Sequence, residues 1–314
     1  MLSIDRILFP TDGSACAAQA HRYAVDLADR YHATLHVLHV DERSARHQAT
    51  TADAPDRDAP ADSEETFSLP PDASTTTHTE QHVLTHPSPP QGILMHAAEH
   101  DIDLIVMGTH GRRGIARAVI GSVAEEVVRR SECPVFTVRA QETGVSVPHF
   151  DHVLVPVDFS EHMPALLHHA GCLAEDYDVP VHLLHVVEQI VLPTAYGIQP
   201  PDVDQTGMRK AARDVLAEYR AGLEARGLEA HALLRNGHPA RQILRTVESA
   251  SGAPLVMLST HGRTGVQRLL LGSVAENVIR RSIRPVFVVK AFGRSLVADT
   301  FASSADPSSA DPST

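Results

Sequence analysis

The segment GTHGRRGIARAVIGSVAEEVVRR, residues 108–130, decides the fold, because it returns as STHGRTGVQRLLLGSVAENVIRR at 259–281. Each copy follows a short apolar run, DLIVM before Gly108 and PLVML before Ser259. Such a run is too short for a helix and is bounded by a turn residue, which predicts a buried strand. Each copy then crosses a glycine-containing loop into SVAE. Serine followed three residues later by glutamate predicts a capping box, with Ser122 and Ser273 as N-caps. From 108 to 139 against 259 to 290, nineteen of thirty-two positions are identical, too many for convergence on loop chemistry. Asp12 and Asp158 are 146 residues apart, as are Val40 and Val186, whereas Gly121 and Gly272 are 151 apart. The chain is therefore a duplication, with the extra residues of the second copy lying between its second strand and its glycine loop.

A strand, a glycine loop and a helix N-terminus in that order suit an anion. Glycines at 108, 111 and 121 let the backbone approach a ligand, and several amide N–H groups then face one small volume. Phosphate is the natural occupant. The loop is neither a Walker A sequence, since it has no lysine and no GK[ST], nor GxGxxG. Its positive charge comes from Arg112, Arg113 and Arg263. The competing reading is that the glycines turn the chain and the serines only cap helices.

Outward from these segments, ILFPTDGS at 7–14 and VLVPVDFS at 153–160 each read as a first strand, about 4–10 in the first repeat, ending at an aspartate. Ser14 can open a helix to about Tyr31, with Ala17, Ala20, Ala24, Leu27 and Ala28 at helical spacing. A second strand runs from Thr34 to Val40. Strand, helix, strand implies a right-handed parallel crossover, whose ligands sit beyond the carboxyl ends of the strands. Asp12, Val40 and the 108 loop then share one rim. Residues 43–76 are rich in proline, aspartate, serine and threonine and resist confident ordering. Their counterpart from Gly207 to Arg226 has helical spacing, so the first repeat has lost or frayed that helix. Short strands follow at Gln81–Thr85 and Glu229–Leu234, then helices from Gln91 and Ala240. Residues 140–150 form a linker, and the tail SSADPSSADPST is low in complexity.

The pattern GxxGx9GS, filled by Gly108, Gly111, Gly121 and Ser122, resembles the nucleotide loop of the universal stress protein family. The resemblance extends to both strand-one segments, to LHVLHVDE and VHLLHVVE, and to the closing PVFTVR and PVFVVK. It covers most of the chain except 43–76 and the tail. It implies two tandem doubly wound α/β domains, at 1–140 and 151–292, joined by a linker at 141–150 and followed by a disordered tail from 293. Each would hold a mainly parallel five-stranded sheet flanked by helices, of the adenine nucleotide alpha hydrolase-like type. Their final strands would pair as an intramolecular pseudo-dimer, with a further homodimer left open. The implied ligand is ATP or a related adenine nucleotide, with Mg2+ or Mn2+ at its phosphates.

By the same resemblance, Asp12 and Asp158 would accept hydrogen bonds from ribose hydroxyls, although an aspartate there also suits a helix cap. Val40 and Val186 would meet adenine, or else are ordinary core valines. Gly108, Gly111, Gly121, Ser122 and Val123 form the phosphate and ribose set of site one. Gly262, Gly272, Ser273 and Val274 form that of site two. Ser259 departs from the motif glycine, and its side chain would crowd a ligand, so site two is expected to be weaker or altered. The implied role is nucleotide binding in a stress or regulatory response. The competing classes are a scaffold that binds no nucleotide and a slow ATP hydrolase, for which no base is evident.

The chain has 314 residues, 43% of them hydrophobic, enough for two cores; tryptophan is absent, so these cores are aliphatic. A formal charge of −12 argues against nucleic acid or an anionic membrane as partner. Three cysteines, Cys16, Cys133 and Cys172, fit no CxxC pattern. With no basic, apolar leader and no long apolar stretch, they suggest a soluble, cytoplasmic protein. Histidine is abundant, at 21 residues. His78, His82 and His86 share a face but lack HExxH or cysteine company, so a solvated polar face is preferred to a metal site. His110 and His261 lie in the glycine loops, and His168 with His169 reads as structural.

Overall fold

A computed structural model describes residues 1–42, 78–109, 120–139, 149–188, 205–260 and 271–297. The first repeat contains β1 (Arg6–Pro10), α1 (Ala15–Tyr31), β2 (Thr34–Asp41), β3 (Thr79–Thr85), α2 (Pro89–Glu99), β4 (Leu104–Gly108), α3 (Ser122–Arg130) and β5 (Val135–Val138). The second contains β6 (His152–Val157), α4 (Met163–Tyr177), β7 (Val181–Val187), α5 (Gln205–Glu224), β8 (Ala230–Asn236), α6 (Pro239–Ser249), β9 (Pro254–Ser259), α7 (Ser273–Arg281) and β10 (Val286–Val289). The 43–76 segment and most of the linker lie outside the described residues.

The ten strands form one sheet in the order β3-β2-β1-β4-β5-β10-β9-β6-β7-β8. Every pairing within a repeat is parallel, and the repeats meet where β5 and β10 pair antiparallel, Phe136 opposite Phe287. The family's expected pairing of final strands is thus present, and it fuses the two five-stranded halves into a continuous sheet. Helices cover both faces, which is why the central strands read as unbroken apolar runs rather than alternating ones. Ile7, Phe9, Leu104 and Val106 enter the core beneath α1, α4 and α5. Leu8, Ile105 and Met107 enter the core beneath α2, α3, α6 and α7.

Two local expectations change. Gly121 and Gly272, not the serines, occupy the N-caps of α3 and α7, and neither cap makes a side-chain hydrogen bond. The capping boxes are therefore absent. The glycine amides donate to Thr109 and Thr260, while their carbonyls accept from Glu125 and Glu276, so glycine completes the cap with its backbone alone. Ser122 and Ser273 become the first helical residues and are exposed. Glu276 turns along the helix to Arg280 at 2.8 Å. Second, residues placed by composition in the tail pack against the body. Leu296 is 1% exposed, its amide donates to the His169 ring at 3.1 Å, and its carbonyl accepts from Ser3 at 2.8 Å.

Candidate functional site

The rim expected to bind ligand is built alike in both repeats. β1 and β4 are adjacent parallel strands, so Asp12 and the loop after Gly108 leave the sheet side by side; β6 and β9 do the same for Asp158 and the loop after Ser259. The base of each loop is closed. Thr109 donates its amide to Val138 at 2.9 Å and accepts from Gly121 at 2.7 Å; Thr260 repeats this with Val289 at 3.1 Å and Gly272 at 2.9 Å. A loop clamped at its ends starts a helix at the strand's carboxyl edge. The first amides of α3 and α7 have no intrahelical acceptor and no side-chain cap, so they are available to an anion. That backbone geometry fits a phosphate. Gly111 and Gly262, with His110 and His261, lie outside the described residues, so they are not placed.

The aspartates organise the neighbouring turn. Asp12 Oδ1 accepts from the Ser14 amide at 3.0 Å and Asp158 Oδ1 from the Ser160 amide at 2.9 Å. Between them stand Gly13 at φ +73° and Phe159 at φ +59°, both in the left-handed region. Glycine accepts that conformation without strain, and phenylalanine does not. Neither aspartate is an N-cap, since those positions fall to Ser14 and His162; each carboxylate instead supports the turn before the helix.

A feature missed from sequence braces this turn. His39 donates from Nδ1 to the Thr11 carbonyl at 3.0 Å, and its counterpart His185 donates to the Val157 carbonyl at 2.7 Å. The repeated histidine in LHVLHVDE and VHLLHVVE was the available signal. In the second repeat the Phe159 ring stacks on His185 at 4.1 Å, with Tyr219 of α5 at 6.3 Å. Burial, reinforced by the Asp158 charge, pushes the Tyr219 phenol up. Aromatic surface therefore flanks Asp158 where the first repeat has Gly13.

Val40 and Val186 sit near the carboxyl ends of β2 and β7, Val40 half-buried and Val186 8% exposed, both against the core beneath α2 and α6. Their core role is plain; the strand-end position keeps the ligand role open. Val123 and Val274 are half-buried in the first turns of α3 and α7. Gly108 has a different reason for being glycine than ligand approach. A Cβ there would lie 2.9 Å from Cys16 Sγ and 3.1 Å from the Cys16 carbonyl carbon. In the second repeat, α4 begins at Met163, whereas the residue matching the start of α1 is Glu161. The helix start has receded where serine replaces glycine. Ser160, counterpart of the Ser14 that caps α1, is left with a buried hydroxyl lacking a partner among the described residues.

The cysteines are buried and unpaired. His169 is structural, donating from Nδ1 to Ala165 at 2.7 Å. Among the described residues no helix is long and apolar enough to cross a membrane.

A duplicated sheet, parallel within each half and covered by helices on both faces, defines a tandem doubly wound α/β protein. The sequence profile of the universal stress protein family matches residues 3–139 and 149–290, and the chain belongs to that family. A universal stress protein of Mycobacterium tuberculosis is 29% identical over 196 residues, covering 61% of this chain and 63% of that one. One from Methanocaldococcus jannaschii is 28% identical over 141 residues, covering 45% of this chain and 82% of its own. The chain thus spans less than two thirds of the mycobacterial relative's length. Among solved structures, a universal stress protein from Archaeoglobus fulgidus matches with a TM-score of 0.60 at 23% identity, covering 91% of this chain and 98% of that one. A putative one from Pseudomonas aeruginosa matches at 0.60 with 19% identity, covering 91% and 93%. Both share the fold.

Proposed function

We propose that the chain binds ATP or a related adenine nucleotide reversibly, in a stress-linked regulatory role, at the rim formed by Asp12, Gly108, Gly121, Ser122 and Val123 of the first repeat. The carrying observation is the clamped loop. The Thr109–Gly121 hydrogen bond starts α3 at the carboxyl end of β4, the strand beside the β1 that leads to Asp12. Phosphates would take the helix amides, and the Asp12 carboxylate would accept from ribose hydroxyls. Val40 would border the base. A divalent cation, Mg2+ or Mn2+, would be shared among phosphate oxygens and water rather than held by a protein cage. The loop sequence from 109 to 121 carries no lysine and no carboxylate, which supports reading the site as one of binding rather than hydrolysis.

The second repeat would use Asp158, Val186, Gly272, Ser273 and Val274, but with Phe159, His185 and Tyr219 alongside. That aromatic surface, rather than Ser259, is the stronger reason for unequal sites. The first repeat is proposed as the ATP site and the second as one of altered preference.

The test is the small-molecule content of denatured, freshly purified protein, with thermal unfolding in ATP and magnesium. A site filled at about 100 times its Kd stabilises by about 2.7 kcal/mol. Gly121→Val should abolish most bound nucleotide and the thermal shift, and Gly272→Val should change them little. No nucleotide and no shift in the parent protein would leave an interaction scaffold as the better reading.

A further inference from the structure

Three histidines far apart in sequence converge at the opposite end of the first repeat's edge. His36 lies near the start of β2, His82 lies in the edge strand β3, and His96 sits on α2, whose Gly92 lies against Val40 of β2 and Leu84 of β3. One ligand atom from each lies within 4.8 Å of those of the other two. The ring centroids of His82 and His96 are 4.7 Å apart, and those of His36 and His82 are 5.2 Å apart. His36 and His96 are buried, and His36 Nδ1, His82 Nε2 and His96 Nε2 all lack a hydrogen-bond partner among the described residues. Three orphaned imidazole nitrogens in one small volume are expensive unless something accepts their lone pairs. Glu80 stands opposite His36 in the strand register, its Oε2 3.5 Å from His82 Nε2 and 3.8 Å from His36 Nδ1.

We propose that His36, His82 and His96, with Glu80 as fourth ligand, form a binding site for a divalent transition metal of the zinc class. Imidazole nitrogens select such ions over magnesium or calcium. Zinc held by nitrogens at about 2.0–2.1 Å needs them about 3.4 Å apart. The ion would draw the rings together from the 4.8 Å within which their ligand atoms lie. The bound ion would fasten the edge strand β3 and helix α2 to β2. The second repeat lacks the set. Strand register and helix alignment place His182, His231, Leu233 and Thr246 at the positions of His36, Glu80, His82 and His96. The site is thus built into one repeat, at the sheet end away from Asp12 and the glycine loop, and it is independent of nucleotide.

The experiment uses full-length, chelator-treated protein titrated with zinc chloride, and with cobalt chloride as a spectroscopic probe. The expected result is one tight equivalent, an intense four-coordinate cobalt spectrum, and a zinc-dependent rise in unfolding temperature. His82→Ala and His96→Gln should each weaken zinc binding about 100-fold and abolish both signals, while His231→Ala should change neither. Circular dichroism reports whether each variant folds. Should His96→Gln be unfolded, the half-buried His82→Ala and Glu80→Gln decide. Equal zinc binding in His82→Ala and the parent, or only a weak six-coordinate cobalt spectrum, overturns the site.

Discussion

The Tyr31 hydroxyl donates a 2.7 Å hydrogen bond to the carboxylate of Asp176, 145 residues along the chain and in the other repeat. The reverse tie is present: Tyr177 donates to Asp26 at 2.6 Å. The Arg30 guanidinium lies 4.0 Å above the Tyr177 ring and donates to the Asp176 carbonyl. α1 and α4 are thereby joined on one face of the sheet, while β5 and β10 join the repeats within it. Burial is the largest cause raising both phenols, which keeps them protonated as donors.

Removing either hydroxyl takes a donor from a carboxylate, although Asp176 keeps the Leu2 amide at 3.3 Å. Tyr31→Phe and Tyr177→Phe are each expected to lower stability by about 1–3 kcal/mol, the penalty for leaving a desolvated acceptor unsatisfied. Tyr177→Phe should lose more, because burial already raises the Asp26 pKa and the Tyr177 hydrogen bond opposes that rise. Urea unfolding of both single variants and the double variant checks this. Midpoints identical to the parent would show that these bonds exchange with water at no loss.

Lys290 supplies a pH signature of the junction. Its ammonium donates to the Val128 carbonyl in the last turn of α3, and Arg139 reciprocates by donating to the Arg281 carbonyl of α7 at 3.2 Å. Each repeat's final strand thus caps the other repeat's last helix with a cation, where a helix dipole favours one. Burial lowers Lys290 from 10.5 to about 8. The unfolded chain therefore binds this proton more tightly than the folded one. Its contribution to stability must rise with pH between about 8 and 10.5. Relative to Lys290→Met, the parent should gain up to about 3 kcal/mol across that window. Taking the difference between the two proteins cancels the opposite slope of the buried tyrosines. Parallel stability curves would place the ammonium in water.

Acid stability should carry the mark of a second stack. His182 lies with its ring centroid 4.1 Å from that of His152 and 4.9 Å from that of His231, and burial followed by the charges of those neighbours lowers it to about 4. Glu229 opposes the shift. A depressed folded pKa gives stability that is present above the unfolded value and lost as pH falls through the folded one. Thermal midpoints should therefore drop between pH 6.5 and about 4, and His182→Leu should flatten that slope. An unchanged slope would mean that His152 or the carboxylates carry it.

The duplication and the parallel strand–helix alternation were legible because they rest on local patterns: apolar runs, glycine spacing and an aspartate ending each first strand. What was hidden depends on partners distant in sequence. His78, His82 and His86 share a period, but only His82 joins the cluster with His36 and His96, because strand register and the placement of α2 decide that meeting. The serines of SVAE matched a capping box in spacing, yet the Thr109–Gly121 and Thr260–Gly272 clamps move the cap one residue earlier. Leu296 belonged by composition with a polar tail, and only the packed body reveals its place beside His169.

Gly108 separates packing from ligand binding. An added methyl at this position would press on Cys16 Sγ at 2.9 Å and on the backbone of α1 at 3.1 Å, and a backbone neighbour cannot yield as a flexible side chain can. Overpacking of this kind costs about 1–3 kcal/mol. Gly108→Ala should therefore destabilise the chain even when stripped of small molecules, as read from urea unfolding after extensive dialysis. Gly272→Ala meets only the Thr260 carbonyl at 3.4 Å, an ordinary contact, and should unfold close to the parent. If Gly108→Ala keeps full stability but loses nucleotide, the methyl reaches the ligand instead of α1. The glycine opening the motif would then belong to recognition, and the serine at 259 would regain its weight as the cause of unequal sites.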